Sequence, residues 1–272
     1  MRLVHGIKVT SEDMTDYVTL PMIDEEEKEP FLHDEIRKIL DFTRMPRRKC
    51  LYMVLKDTGC RIGEALRLQR KFIDMTANPV TIFFPKNIVK GKKRKRTAFV
   101  SNETKKMLET VLADLDNDDY VFGAPTQKDF GYRTEESAFD WVRRYTNMRD
   151  RYESNKRYKK NLHSFRSFCY TQSKLATGDA DYAHGYIGHD RYLVVYERMQ
   201  DKEKIDLFNR CVSRLSIFED VVVVSDDELK NQHAKEILEL NQKYDELKNM
   251  ILTSQRNPGI KIGFDELPNI ER

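Results

Sequence analysis

Apolar residues recur along this chain at two spacings, and the switches between them mark its elements. From Phe31 onward Ile36, Ile39 and Leu40 fall at i, i+3 and i+4, and after Pro46 the set Leu51, Val54 and Leu55 repeats that spacing, which predicts two helices. A third helix is expected to begin near Arg61 and to carry Ala65, Leu66 and Leu68. The period then changes. Val80-Thr81-Ile82-Phe83-Phe84 and Thr97-Ala98-Phe99-Val100 are rich in β-branched and aromatic residues, and they predict a hairpin whose tip is the lysine run between them. Helical spacing returns at 102–115, where Met107, Leu108, Val111, Leu112 and Leu115 make one stripe, and at 136–148 around Trp141. The stretch 149–160 is polar, basic and tyrosine-bearing, which suits a surface loop. Helices at 163–176 and 179–187 follow, then a short piece around Tyr196 and another at 202–211. The fold class expected is α+β, mainly helical, with one small basic β-hairpin or sheet.

The two ends read differently from this middle. Pro21, the run Glu25-Glu26-Glu27 and Pro30 interrupt any periodicity, so residues 1–30 read as an arm or linker. Val221 to Val224 suit one extra strand. Ile237, Leu240, Tyr244, Leu247 and Ile251 then step by 3, 4, 3 and 4, a heptad seam too short for a self-standing coiled coil. It suits a helix docked on its own body or on a neighbouring subunit. The expected division is an arm at 1–30, a folded domain at 31–212, a strand and heptad-bearing helix at 213–257, and a tail at 258–272.

Composition changes the picture through the distribution of charge. The 272 residues, 39% hydrophobic and 34% charged, suffice for one sizeable core or two modest ones, and their net charge of +3 looks bland. Residues 31–212, however, hold 37 Lys and Arg against 25 Asp and Glu, a net of +12, whereas the flanks hold 11 against 20, a net of −9. The basic block calls for a polyanionic partner such as DNA or RNA. Cys50, Cys60, Cys169 and Cys211 lie far apart without a CxxC, so neither a zinc site nor a disulfide framework is indicated, and no metal is expected. No apolar run approaches the roughly 20 residues of a membrane span, which points to a soluble protein of a reducing compartment.

Four short segments of the basic block carry candidate chemistry. They are Thr58-Gly59-Cys60-Arg61-Ile62-Gly63-Glu64, Lys90-Gly91-Lys92, His163-Ser164-Phe165-Arg166, and Gly188-His189 followed by Tyr196. A phosphodiester under attack needs its growing charge neutralised, and the fixed, always-protonated donors of Arg61 and Arg166 suit that task. Glu64, three residues beyond Arg61, shares its helical face and suits either a support for that guanidinium or a plain salt bridge. His163 and Arg166 stand at i and i+3 at the start of a helix. Lys90 heads a run with six basic residues in seven. At a hairpin tip it suits proton delivery to a leaving oxygen, with Lys92 in reserve. Lys92, Lys93, Arg94, Lys95 and Arg96, together with Arg157, Lys159 and Lys160 of the loop, suit contacts to a phosphate backbone. His5, His33, His184 and His233 are given no role. Singly, each segment is weak: an HxxR pair or a histidine in a turn is common in basic proteins.

Their joint order resembles the tyrosine recombinase, or phage-type integrase, family, in which an arginine lies in a segment like TGxRxxE, a lysine on a β-hairpin, and HxxR, GH and a tyrosine follow. The resemblance covers residues 31–212, the family's catalytic domain, and the tail from Gly188 to Arg198 is most similar to archaeal provirus and plasmid integrases. In better-known bacterial members the tyrosine follows the GH histidine at a wider interval than the seven residues between His189 and Tyr196, and Tyr192 lies closer still. Members also carry an N-terminal helical domain that completes a clamp around DNA, so residues 1–30 read as the remnant of one.

The resemblance implies a metal-free transesterification that needs no cofactor. Tyr196 would attack a phosphodiester of double-stranded DNA, leaving a 3′-phosphotyrosyl link and a free 5′-hydroxyl that attacks a partner duplex, so that bond energy is conserved. Arg61 and Arg166 would clamp the phosphate, His163 and His189 would bond it or move protons, and Lys90 would be the general acid. The expected assembly is a homo-tetramer on synapsed attachment-type sites, cytoplasmic and nucleoid-associated, with no membrane partner. Three alternatives stay open: a catalytically idle DNA-binding remnant, an interaction protein built on the C-terminal heptads, and a topoisomerase-like nicking and closing enzyme.

Overall fold

A computed structural model describes residues 29–89, 95–127 and 129–218, and all of them belong to one compact unit. In chain order the helices are α1 (His33–Phe42), α2 (Pro46–Thr58) and α3 (Ile62–Ala65). A 3₁₀ turn at Arg70–Phe72 leads into the strands β1 (Ile73–Asp74), β2 (Thr81–Phe84) and β3 (Arg96–Phe99). Helices α4 (Asn102–Leu112), α5 (Tyr132–Tyr145), α6 (Ser164–Thr177), α7 (Ala180–Ile187), α8 (Asp190–Arg198) and α9 (Asp201–Leu215) complete the unit. The fold is mainly helical with a three-stranded antiparallel sheet in the order β1-β2-β3. Among the described residues, no helix is long and apolar enough to cross a membrane.

Helix α2 is the hub. Pro46 at its first turn needs no backbone donor, and every residue from Cys50 to Thr58 is buried. Around it Tyr52 stacks on Phe165 at 5.5 Å, while Phe31 and Phe139 meet the same pair at 4.7 and 5.7 Å. Each such fully buried aromatic or aliphatic side chain stabilises the fold by about 1.5–3 kcal/mol.

Because α2 is buried all round, its polar residues must be satisfied internally. Lys56 Nζ donates to Asp57 Oδ1 at 2.5 Å and to the Leu215 carbonyl at 2.9 Å, and it lies 2.6 Å from Glu103 Oε1. Asp57 Oδ2 accepts from the Ser101 amide, the Ser101 hydroxyl and the Thr104 hydroxyl at 2.9, 2.7 and 2.6 Å. Glu103 accepts from the amides of Ile217 and Phe218 at 3.1 and 3.0 Å. This closed cluster ties α2, α4 and the end of α9 together.

The helical spacings read from the sequence fall in α1, α2, α4, α6, α7, α8 and α9, with shifted ends. Helix α3 is only four residues long, and Leu66 and Leu68 follow it in turns rather than in helix. Helix α5 starts at Tyr132, four residues ahead of the expected start, and α9 runs past residue 212 to Leu215. β1 is an addition. At two residues, Ile73 and Asp74, it is too short to carry a period. The arm before residue 29, the hairpin tip, the valines at 221–224, the heptad seam and the tail lie outside the described residues.

Candidate active site

Helix α2 stops at Gly59, whose φ of +57° reverses the chain in the left-handed region. A Cβ there would stand 2.5 Å from Ile187 Cγ2, so glycine is required by packing as well as by conformation. The reversal makes Arg61 the N-cap of α3. Its amide donates to Glu64 Oε2 at 3.0 Å and its Nη1 to Glu64 Oε1 at 3.1 Å, so one carboxylate grips both backbone and guanidinium. Glu64 is itself buried, and Arg96 Nη2 lies 3.8 Å from its Oε2. Burial alone would raise this carboxyl's pKa, but Arg96, the Arg61 amide and guanidinium, and Arg166 together hold it below the usual range.

Arg166 enters from the first turn of α6. Its Nη1 donates to the Gly59 carbonyl at 2.7 Å and also to the Ile187 carbonyl. Its Nη2 is buried and, among the described residues, has no hydrogen-bond partner. Burial and then the neighbouring Arg61 and Arg96 charges pull its pKa down to about 9. His163 caps the same helix and lines, together with Arg61, a cleft of about 890 Å³ that extends past Arg143, Arg151, Arg157 and Tyr158.

His189 is placed by Gly188, the left-handed cap of α7 with φ +88°, where a Cβ would meet Arg96 Cδ and Nε at 3.0 Å. Its Nδ1 lies 2.8 Å from Nδ1 of His184. Burial, then Arg166, His184 and Arg61, push its pKa down to about 4, so the ring is neutral at pH 7. The charges of Arg61, Arg96 and Arg166 thus all act on the single carboxylate of Glu64, those of Arg61 and Arg96 act on Arg166, and those of Arg166 and Arg61 act on His189. The excess is positive, and among the described residues Nη2 of both Arg96 and Arg166 is buried without a hydrogen-bond partner. Chemically this arrangement receives an oxyanion.

Tyr196 is held on β3 beside Arg96. It is 1% exposed, its hydroxyl donates to the Thr97 carbonyl at 3.1 Å, and the Lys204 ammonium lies 5.4 Å from its ring centre. Burial raises its pKa well above that of a free tyrosine despite the opposing charge of Arg96. Glu197 beside it accepts from the Thr97 amide at 3.2 Å. Among the described residues β3 pairs only with β2, and both polar groups of Thr97 on its other edge are met by side chains of α8. Tyr192 instead stacks on His184 at 4.8 Å.

The model of the phage integrase family matches residues 30–200. This chain belongs to that family. Its fold is shared with the integrase from mycobacterium phage Brujita, at a TM-score of 0.54 and 14% identity over 78% of this chain and 66% of the other. XerA recombinase matches with a TM-score of 0.47 and 20% identity over 70% of this chain and 66% of that one. Lambda integrase(75-356), solved as a dimer bound to a COC' core site, matches with 0.47 and 12% over 65% and 64%. The chain therefore spans just under two thirds of the length of each. No curated protein matches.

In this phage integrase chain the remaining sequence candidates fall into three groups. Lys90, Lys92, Lys93 and Arg94 lie outside the described residues. Lys95 and Arg157 are exposed, and Arg157 lines the cleft. Two assignments to a DNA-facing surface are corrected. Arg96 is 1% exposed, with Nη1 donating to the Thr58 and Tyr186 carbonyls at 2.9 and 2.6 Å and its guanidinium 4.5 Å above Phe84. Lys160 is largely buried and staples the start of the domain, donating to the Pro30 carbonyl at 2.5 Å and pairing with Glu35 at 3.0 Å. Lys159 pairs with Glu29 at 3.2 Å. Sequence reasoning missed Arg96 as a member of the arginine cluster and His184 as the neighbour of His189. The first had a signal in the strand alternation. The second had none, because contact depends on the tight Gly188 reversal.

Proposed function

We propose that this chain cuts and rejoins double-stranded DNA by transesterification, with Tyr196 as nucleophile and a 3′-phosphotyrosyl intermediate. The observation that supports this reading is the cluster of the part-exposed Arg61 and the buried Arg96 and Arg166 around one carboxylate, with Arg166 Nη2 without a hydrogen-bond partner among the described residues. Arg61 and Arg166 clamp the non-bridging oxygens. His163 and His189 bond the phosphate, and Lys90, on the segment leading into β3, protonates the leaving 5′ oxygen. Glu64 and Arg96 hold the clamp in shape. The basic block of residues 31–212, net +12, supplies attraction to the backbone. Recombination between attachment-type sites requires a tetramer on synapsed duplexes, and this is the assembly we assign.

The Tyr196 hydroxyl rests on Thr97, so attack requires α8 to release it toward the clamp. Its burial also favours a second reading, in which the chain binds DNA without cutting it. Incubation with supercoiled plasmid and a denaturing quench separates the two. Wild type and Tyr192→Phe trap protein covalently on DNA, whereas Tyr196→Phe binds and traps none. An adduct from Tyr196→Phe but not from Tyr192→Phe transfers the chemistry to Tyr192, and none from wild type supports the binding-only reading.

A further inference from the structure

His184 lies outside the four sequence segments, yet it touches the site through a chain of contacts. Its Nδ1 is 2.8 Å from His189 Nδ1, and its Nε2 is 3.1 Å from the Tyr170 hydroxyl. Its ring stacks on Tyr170 at 4.4 Å and on Tyr192 at 4.8 Å, contacts that restrain its rotation. Two nitrogens at 2.8 Å share one proton. The nitrogen that His189 turns to His184 determines by difference what its other nitrogen, Nε2, offers on the far side of the ring.

We propose that His184, backed by Tyr170, is a positioning residue that fixes His189 as an Nε2–H donor toward the phosphate. The direction of donation follows from the ends of the chain. The hydroxyl of Tyr170 has a proton to give, and its partner among the described residues is His184 Nε2. With Tyr170 as the donor to His184 Nε2, His184 Nδ1–H donates to His189 Nδ1, and the proton of the neutral His189 ring stands on Nε2. Charged neighbours do not reverse the order. Arg166 and Arg61 disfavour a second proton on His189, and Asp190 is the carboxylate acting in the opposite sense. Lys174 and Arg166 act likewise on His184, against Asp181. The pair thus keeps both rings neutral while aiming one N–H at an incoming oxyanion. The inference rests on the phosphate reading of the site, although its first readout does not.

Full-length protein labelled with ¹⁵N-histidine, free of DNA at pH 7.5, reports the tautomer directly. Wild type is expected to show His189 protonated on Nε2 and bare on Nδ1. His184→Phe keeps the ring stack and removes the nitrogens, so His189 becomes a mixture of tautomers. His184→Asn places an amide donor where Nδ1 stood and restores the Nε2–H form. Plasmid cleavage should follow the same order, with kcat about tenfold lower in His184→Phe, the worth of one neutral hydrogen bond, and KM unchanged. Tyr170→Phe, a milder change, should lie between. Wild-type His189 protonated on Nδ1, or an unshifted tautomer in a folded His184→Phe, overturns the proposal. A correct tautomer pattern in protein that never cleaves DNA leaves the positioning intact and removes the cleavage reading instead.

Discussion

Two charged clusters flank the Gly59 reversal that ends α2, and they are built on opposite rules. Around Lys56 one cation meets two carboxylates, and Asp57 and Glu103 each accept further hydrogen bonds from Ser101, Thr104, Ile217 and Phe218. Burial lowers the Lys56 pKa, but Asp57 and Glu103 more than offset this and leave it above its ordinary value. Around Glu64 two guanidiniums pair with one carboxylate and the charge of a third, Arg166, acts on it, and among the described residues Nη2 of both Arg96 and Arg166 lacks a hydrogen-bond partner. A buried polar group left unsatisfied costs roughly 1–3 kcal/mol. The first cluster is complete in itself and serves the fold. The second leaves guanidinium donors open among the described residues, which is why we propose it as the site that takes an anion.

Breaking each cluster from its cationic side should separate them most widely. Lys56→Met leaves Asp57 and Glu103 without their cation and is expected to lower stability by about 3–5 kcal/mol. Arg166→Met removes two hydrogen bonds to carbonyls but also relieves repulsion among three arginines, so its stability should change by about 1 kcal/mol or less. Its DNA cleavage should vanish. Urea unfolding of both variants checks the first half and plasmid nicking the second.

Acid should reach the two clusters in different windows. His189 has a folded pKa depressed to about 4, so the unfolded chain takes up its proton first, and stability falls as pH drops from about 6.5 toward 4. At a partly solvated group this amounts to roughly 1 kcal/mol. Burial would raise the pKa of Glu103, yet Lys56 and the Ile217 and Phe218 amides hold it below the usual carboxylate value. Its contribution is present above about pH 4.3 and is lost only below, as pH falls through its folded value. Urea midpoints at half-unit steps should show the upper phase disappear in His189→Asn and the lower phase remain.

The smallest effect belongs to Lys95. It is exposed, next to the buried Arg96, and Lys95→Ala should leave stability unchanged while reducing the salt slope of DNA binding by about 1. A slope that does not move would place the DNA away from this edge of β3.

How much of this was legible without coordinates differs between residues for physical reasons. The helices with clear 3.6-residue stripes were readable because burial on one face imposes that period. The grouping of Arg61, Arg166 and His189 in space is readable only from the set, since each stands at a chain reversal or a helix start whose partners are far away in sequence. Arg96 was misplaced because six basic residues in seven read as one surface. Yet β-strand alternation puts Arg96 on the same face as Ala98, and both are buried. The short α3 was overread because Ala65, Leu66 and Leu68 are buried by their surroundings rather than by a continuing helix. Lys160 could not be assigned from composition, as its partners Glu35 and the Pro30 carbonyl come from the other end of the domain.

Anion-dependent stability tests most directly the claim that the arginine cluster is complete only with a phosphate. Urea unfolding of wild type and Arg166→Met is measured in chloride and in millimolar inorganic phosphate at constant ionic strength. Phosphate is expected to raise the wild-type midpoint and to leave that of Arg166→Met where it was. Equal shifts in both proteins, or none in wild type, would contradict that claim.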